Sequence, residues 1–312
     1  MTAEGEAEAR AGLERLILHV GAHKTASSML QTALKHVRRP LEQQGMQVIS
    51  RSAIKSTPFH ATLQNIASLK NVEADASVGR EVAEMVRPSA RTLLLTSEDL
   101  LSRINLKYCF RAPEAGLRLI RAVFPQVATK VILYVRSQAD YIESTYTQHI
   151  HTGHNISFED YLGDELPTHI QWDVIADRIA SVVGPENLSV APYEMIFAMG
   201  AEGFFRDFLR RAELPDPAQI PFEEPSGRSS NRSYSALAVD IWRRVEPLLE
   251  TPMQKKKFRS YLQAEFSTAT MPKARWLTPE QREAVGTIYR GSNIRLFAEY
   301  MPEHDPADLH YV

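Results

Sequence analysis

Residues 15–31, RLILHVGAHKTASSMLQ, decide how the rest of this chain is interpreted. The stretch begins with a short apolar run that ends at Gly21, which is typical of a strand buried on both faces of a parallel sheet. Small residues and one lysine follow, and apolar residues then recur at helical spacing as far as Val37. This pattern predicts a strand, a tight turn and a helix that begins at Ser27 or Ser28. Because N–H groups and the helix dipole favour an anion at a helix N-terminus, the turn is a candidate phosphate site.

Composition narrows the class of protein. The chain has 312 residues, 44% hydrophobic and 24% charged, which is ordinary for a globular protein with a sizeable core. Its formal net charge is −2, whereas a nucleic-acid-binding protein usually has a basic excess, so we expect no nucleic-acid partner. Cys109 is the single cysteine, which excludes an intramolecular disulfide and a structural zinc site built from several cysteines.

The first fourteen residues are acidic and polar, and we expect them to be disordered. They lack the basic and apolar regions of a signal peptide, and no apolar run approaches the roughly 18 residues of a membrane helix. We therefore expect a cytoplasmic protein without a membrane span. The sequence leaves its oligomeric state open.

Strand and helix patterns alternate over the first two hundred residues. Further strands are predicted at 46–50, 93–95, 130–137 and 188–196, and helices at 59–87, 113–124, 139–150, 170–183 and 201–211. This alternation predicts an α/β fold in which helices flank a mainly parallel central sheet. We expect a single domain over 15–312, with an α/β core at 15–212, a long loop at 213–235 and a helical part at 236–312.

Chemically reactive groups follow three of the predicted strands. The turn at 21–28, Glu98 and Arg136 each come just after a strand end. In open α/β sheets, ligands bind beyond the carboxyl ends of the strands. The sequence therefore places these groups at one edge of the sheet.

The turn does not match a nucleoside-triphosphate P-loop. That motif reads G-x-x-x-x-G-K-[ST], whereas Lys24 comes three positions after Gly21 with no second glycine before it. An aspartate for magnesium is not evident either. We therefore expect a phosphate site without an obligate metal. A nucleotide kinase-like phosphotransferase is an alternative, but it would need both features.

The turn resembles the 5′-phosphosulfate loop of sulfotransferases that use 3′-phosphoadenosine 5′-phosphosulfate (PAPS), bacterial members in particular. Many of those loops read like HxGxHKTGTTxLQ. The matching residues here are His19, Gly21, the run His23-Lys24-Thr25-Ala26-Ser27-Ser28, and Leu30-Gln31. Ala26 stands where the family has glycine. If the backbone needs a positive φ there, alanine costs about 1 kcal/mol or more.

A second signature of that family is an arginine at a strand end with a serine eight residues later. Arg136 and Ser144 have this spacing. The segments PYEMI at 192–196 and SNIRLFAEYM at 292–301 are also similar to family segments, so the resemblance extends from about Arg15 to Met301.

The resemblance implies a three-layer, P-loop-like fold and transfer of a sulfuryl group from PAPS to a hydroxyl or amine. Candidate acceptors are a carbohydrate or a small metabolite, and no metal is required. The resemblance assigns the 5′-phosphosulfate to the loop residues and the 3′-phosphate to Arg136 and Ser144. It places Tyr193 near the adenine, and it suggests that Asn231 and Arg232, in the long loop, also contact the 3′-phosphate.

Two catalytic roles are predicted. Lys24 would stabilise the negative charge that develops on the oxygen leaving sulfur. Glu98 would take the proton of the acceptor, since a positioned carboxylate can act as general base. His23 is an alternative base, and Asp99 is either a further candidate or a helix N-cap.

Two questions stay open at the level of sequence. A catalytically silent nucleotide-binding protein of the same fold is the non-enzymatic alternative, since Ala26 replaces the usual glycine. Arg103, Lys107 and Arg111 indicate an anionic acceptor, although solvated surface charges explain them equally well.

Overall fold

The computed structural model describes residues 12–70, 75–223 and 233–312. Over these residues the chain forms one five-stranded sheet, with β1 Arg15–His19, β2 Met46–Ser50, β3 Thr92–Thr96, β4 Ala128–Val135 and β5 Leu188–Pro192. The strand order is β2-β3-β1-β4-β5, and every pairing is parallel. The predicted parallel central sheet is confirmed.

Helices cover both faces of this sheet. They are α1 Ser27–His36, α2 Arg38–Gln43, α3 Arg51–Ile54, α4 Pro58–Ala67, α5 Arg80–Glu84, α6 Pro113–Val123, α7 Gln138–His151, α8 Phe158–Leu162, α9 Trp172–Val183, α10 Met195–Arg211, α11 Ala236–Val245, α12 Pro252–Glu265 and α13 Pro279–Tyr300. The last three confirm the helical C-terminal part. None of the helices in the described part of the chain is both apolar enough and long enough to cross a bilayer.

Alternating residues of the strands build two separate cores. Ile17, Leu94 and Ile132 pack with α1, α2 and α10 on one face of the sheet. Leu16 and Leu18 pack on the opposite face, where α4, α6, α7, α9 and α13 contribute buried side chains. Because successive side chains of a strand point to opposite faces, a strand covered on both sides is apolar throughout. This is the three-layer arrangement that the sequence predicts.

The central position of β1 determines where the candidate site forms. His19, its last residue, is in register with Thr96 of β3 on one side and Ile132 of β4 on the other. The chain that leaves β1 therefore emerges between the carboxyl ends of both neighbours. The segments that carry Glu98 and Arg136 leave those two strands.

Several predicted elements differ in their bounds from those observed. The continuous helix predicted at 59–87 is interrupted: α4 ends at Ala67, Leu69 has a left-handed φ of 58°, and α5 begins only at Arg80. The strand predicted at 188–196 ends at Pro192, and the helix predicted at 201–211 begins earlier, at Met195. Tyr193 N, between the two, still donates to Val135 O at 2.8 Å.

The predicted disordered N-terminus and the long loop at 213–235 both include residues that the structure does not describe. Leu13 is buried in the core and Glu14 N donates to Arg91 O at 2.9 Å, so ordered structure extends to the N-terminal side of Arg15. The rest of the acidic N-terminus, residues 1–11, lies outside the described residues, as do Asn231 and Arg232 of the long loop.

Candidate functional site

The turn between β1 and α1 is held by the adjacent strand β4. Val20 N and Ala22 N donate to the carbonyl oxygens of Ile132 and Tyr134 at 3.1 and 2.7 Å, so strand-like pairing continues into the turn. Thr25 Oγ1 then donates to Ala22 O at 2.6 Å and closes it. The path of the turn is therefore fixed by the sheet itself.

Two non-glycine residues of this turn have left-handed backbone conformations. The φ angles are 67° at Lys24 and 63° at Ala26. The position where the resembling loops have glycine thus does have a positive φ here, and alanine carries a cost of about 1 kcal/mol. Such strain persists only where surrounding contacts impose it, and it is concentrated at functional sites.

The start of α1 is not capped by a side chain. Ala26 occupies the N-cap position and offers no acceptor to the first-turn N–H groups. Ser27 is buried and its Oγ has no hydrogen-bond partner in the described structure, while Ser28 is exposed beside it. Unpaired donors at the start of a helix are suited to bind an anion, and the helix dipole adds to the attraction.

Arg136 joins the turn to α7. It follows β4 directly and is 6% exposed. Its Nη1 donates to Lys24 O at 2.8 Å and to Ser144 Oγ at 3.2 Å, while its Nε is buried without a partner. The structure thus brings together the two residues that the sequence pairs by spacing, and it adds a direct contact with the turn. A guanidinium with an unpaired buried N–H group is suited to bind a phosphate.

Tyr193 completes this part of the site. It follows β5, the neighbour of β4, and the Arg136 guanidinium carbon lies 4.7 Å from the centre of its ring. Phe197, which is 75% exposed, meets Tyr193 edge to face, with ring centres 5.7 Å apart. The tyrosine therefore makes a cation–π contact with the guanidinium, and Tyr193 and Phe197 together form an aromatic surface beside it.

The side chain of Lys24 extends from the turn to α7. Its Nζ donates to Gln148 Oε1 at 2.9 Å. Burial lowers the pKa of Lys24 to about 8; the charge of Arg136 also lowers it, and the Glu98 carboxylate opposes both. Lys24 is therefore within electrostatic reach of Arg136 on one side and Glu98 on the other. These three predicted residues do converge.

Glu98 lies in the loop after β3, with its side chain 16% exposed. Its Oε2 accepts a hydrogen bond from Gln31 Nε2 of α1 at 3.1 Å, and its Oε1 lies 4.0 Å from Arg51 Nε. Gln31 orients the carboxylate through Oε2, and Oε1 accepts no hydrogen bond from any of the described residues. This is a suitable arrangement for a group that accepts a proton.

Asp99 does not cap a helix, because no helix begins near it: the next element is a 3-10 turn at Leu106–Tyr108. Its carboxylate instead accepts hydrogen bonds from His23 Nε2, at 2.9 Å, and from Arg51 Nε. Burial would raise the pKa of Asp99, but these partners and the nearby His60 hold it well below its usual range. Asp99 is thus an ionised anchor for His23 and Arg51, and His23 reaches it from inside the turn.

A further group of cations, which the notable motifs of the sequence do not include, lies against α7 in the segment 273–282. Lys273 and Arg275 pair with Asp140 of α7 at 3.4 and 2.9 Å. Burial would raise the pKa of Asp140, but Lys273, Arg136 and two more arginines outweigh it and lower the pKa. The segment therefore adds positive charge near Arg136. One sequence pattern could have indicated this group. Lys273 and Arg275 are two residues apart in an extended segment, and that spacing places both side chains on the same side of the chain.

Glu143 fastens this segment to α7. It is 1% exposed, accepts hydrogen bonds from the backbone N–H groups of Trp276 and Leu277 at 2.8 and 3.1 Å, and pairs with Arg282 Nη2 at 2.7 Å. Buried carboxylates are tolerated when fully paired in this way. No group of three or more His, Cys, Asp or Glu side chains within 12–70, 75–223 or 233–312 is arranged to hold a metal ion.

Comparison with known proteins supports the fold. No protein-family model and no curated protein matches this chain. Among solved structures, the chain is similar to the crystal structure of a sulfotransferase from Alicyclobacillus acidocaldarius, with a TM-score of 0.52 and 12% sequence identity. The similarity covers 95% of this chain and 99% of that one, so it extends over the α/β core and the helical C-terminal part. The chain therefore has a sulfotransferase-like fold.

Proposed function

We propose that this protein is a sulfotransferase that moves a sulfuryl group from PAPS to a hydroxyl or amine acceptor. The observation that carries the proposal is the position of Arg136, whose Nη1 donates to the turn at Lys24 O and to Ser144 Oγ. One guanidinium thus connects the candidate 5′-phosphosulfate site with the candidate 3′-phosphate site. A donor with phosphates at both positions needs this connection, whereas AMP or ATP does not.

The residues present fit such a donor at several points. We assign the 5′-phosphosulfate to the uncapped start of α1, with Ser27 Oγ, Ser28 and the N–H groups of the turn as donors. We assign the 3′-phosphate to Arg136 and Ser144, with added positive charge from Lys273. Tyr193 and Phe197 provide an aromatic surface suited to a purine ring.

In the proposed reaction, one part of the site binds the sulfuryl donor and another part binds the acceptor. The donor end consists of Lys24, Arg136, Ser144 and Tyr193, and the acceptor end of Gln31, Arg51 and Glu98. Glu98 takes the proton of the acceptor hydroxyl as its oxygen forms a bond to sulfur. The bond between sulfur and the bridging oxygen breaks, and its electron pair stays on that oxygen in adenosine 3′,5′-bisphosphate. Lys24 stabilises the charge developing there, more strongly in the transition state than before it.

Thermal unfolding with added nucleotides tests the donor assignment. Adenosine 3′,5′-bisphosphate is expected to raise the Tm of the protein more than AMP or ATP at equal concentration, because only it engages both phosphate sites. Equal shifts with all three nucleotides would contradict the assignment. Greater stabilisation by ATP with magnesium would favour the kinase-like alternative. Preferential binding of the bisphosphate without sulfate transfer to any acceptor would favour a non-catalytic nucleotide-binding protein.

A further inference from the structure

Arg51 has an unusual combination of contacts for an arginine at the edge of a site. It begins α3 directly after β2, so it lies at the carboxyl ends of the parallel strands, as do the turn and Glu98. Its Nε donates to Asp99 Oδ2 and lies 4.0 Å from Glu98 Oε1. Neither of its terminal Nη nitrogens has a hydrogen-bond partner among the described residues, and its side chain is 45% exposed.

Asp99 holds Arg51 through Nε and leaves both terminal Nη groups of the guanidinium unpaired within the described part of the chain. An arginine whose only role is to neutralise a carboxylate usually binds it through two parallel N–H groups. Here the carboxylate takes the single Nε–H group, and its other oxygen is occupied by His23 at 2.9 Å. Gln64 Nε2 holds the backbone of the same residue, donating to Asp99 O. Arg51 is thus held in place, its side chain is 45% exposed, and its two Nη donors remain available within reach of a ligand beside Glu98.

The charges around Arg51 are balanced. Asp99 offsets Arg51, and Lys24 offsets Glu98, so the acceptor end has no large excess of either sign. A ligand is therefore selected there by directed hydrogen bonds and less by net charge. A planar carboxylate matches the spacing of the two Nη donors, which a neutral hydroxyl or amide cannot do to the same extent.

We infer that Arg51 is a specificity-determining residue that binds a carboxylate of the acceptor, next to the hydroxyl that Glu98 deprotonates. This inference rests on the proposed function. It defines the acceptor class as hydroxylated carboxylates, of which a uronic acid is one, with both groups in one small molecule or one sugar unit. The sequence-based hypothesis that Arg103, Lys107 and Arg111 indicate an anionic acceptor stays a prediction; Arg103 Nη1 donates to Ser68 Oγ at 2.7 Å.

The inference is tested with matched acceptors that differ only in the carboxylate. One pair is methyl glucuronide and methyl glucoside; a second is a simple hydroxy acid and its amide. For the wild-type protein with PAPS, kcat/KM is expected to favour the carboxylate of at least one pair by roughly 10- to 100-fold, the contribution of a charge-assisted hydrogen-bonded pair. The preference is expected mainly in KM. Equal use of both members of every pair, or no detectable use of either, would overturn the inference.

Variants at position 51 separate recognition from folding. Arg51→Gln is expected to abolish the preference, and Arg51→Lys to reduce it, since lysine keeps the charge beside Asp99 but not the two Nη donors. Lys55→Gln, an exposed cation just after α3, is the matched control and should leave the preference unchanged. A preference retained in both Arg51 variants would exclude the proposed role.

A readout on the donor side distinguishes the failure of this inference from that of the proposed function. All three variants are expected to keep the wild-type Tm shift with adenosine 3′,5′-bisphosphate. If the bisphosphate stabilises every protein and transfer shows no carboxylate preference, the Arg51 inference alone fails. If the bisphosphate stabilises none of them, the proposed function fails first.

Discussion

The proposed donor end and acceptor end of the candidate site each contain one arginine, and the two arginines differ in burial and in the number of their contacts with the protein. Arg136 at the donor end is 6% exposed and contacts the turn, α7 and the Tyr193 ring. Arg51 at the acceptor end has a side chain that is 45% exposed and makes one hydrogen bond, through Nε. Both follow a strand directly, so the difference comes from what surrounds each strand end.

Position in the sheet explains this difference. Arg136 leaves β4, which has a strand on each side, and the turn, α7 and β5 enclose it. Arg51 leaves β2, which is at the edge of the sheet and has only β3 as a neighbour. The interior of a parallel sheet provides a rigid, preorganised binding site, whereas its edge leaves donors available for a variable ligand. We therefore expect substitutions at the donor end to affect nucleotide binding, and substitutions at the acceptor end to affect turnover and acceptor choice.

The largest effect is expected at Glu98. Glu98→Gln keeps the shape of the side chain and its contact with Gln31, but removes the proton acceptor. Turnover with PAPS is expected to fall by roughly 100- to 10,000-fold, the usual contribution of a general base. Affinity for adenosine 3′,5′-bisphosphate, measured by calorimetry, should change little. Substantial remaining turnover would remove Glu98 as the base, and His23 would be tested next in the same way.

A smaller effect, on binding, is expected at Arg136. In Arg136→Gln, adenosine 3′,5′-bisphosphate is expected to bind roughly 100-fold more weakly, because a buried charge-assisted contact is lost. Affinity for AMP, which lacks the 3′-phosphate, should fall less. The matched control is Arg118→Gln, an exposed arginine of α6, whose bisphosphate affinity should equal that of the wild type. An equal loss for AMP and the bisphosphate would mean that Arg136 only supports the turn.

The smallest effect is a pH dependence that arises from Lys24. Its pKa of about 8 means that the free protein loses this positive charge as the pH rises through about 8. Bisphosphate affinity is therefore expected to fall above that pH, by up to about tenfold per pH unit. In Lys24→Arg, which stays charged throughout this range, the decline should be absent. The same decline in both proteins would assign it to another group.

The lowered pKa of Lys24 is expected to affect folding stability in the direction opposite to its effect on bisphosphate affinity. Between about 8 and the ordinary lysine value of 10.5, the unfolded chain keeps a proton that the folded protein has released. Folding is therefore expected to become more favourable with rising pH in this window as far as Lys24 contributes. Urea unfolding of wild type and Lys24→Arg across this range measures that contribution separately from nucleotide binding.

The sequence indicated more of the residues proposed for the donor end than of those proposed for the acceptor end. Lys24 belongs to a local strand–turn–helix pattern, and the resemblance to a family signature with short spacing singled out Arg136 and Ser144. The ion pair between Arg51 and Asp99 joins residues 48 positions apart in the chain, and no local pattern links them. Of the two alternatives left open for Asp99, the helix N-cap is excluded, since its carboxylate contacts His23 and Arg51 from other segments.

The helical C-terminal part shows the same limit. The sequence predicted that this part is helical, but the position of Lys273 beside Asp140 joins residues 133 positions apart. Asn231 and Arg232, which the sequence proposed for the 3′-phosphate, lie outside the described residues, so their role stays a prediction. The interruption of the helix predicted at 59–87 depends on the left-handed backbone at Leu69, which the residue types around it did not indicate.

The sequence by itself determined the α/β architecture, the strand–turn–helix unit and which residue types follow the strand ends. It could do so because strand burial, helix periodicity and turn formation depend on neighbours within a few residues. Only the tertiary structure decided which strand is central and which is at the edge. With that strand order, Arg136 is buried against the turn and Arg51 is half exposed. The sequence alone could not decide the order, because strand pairing joins segments that are far apart in the chain.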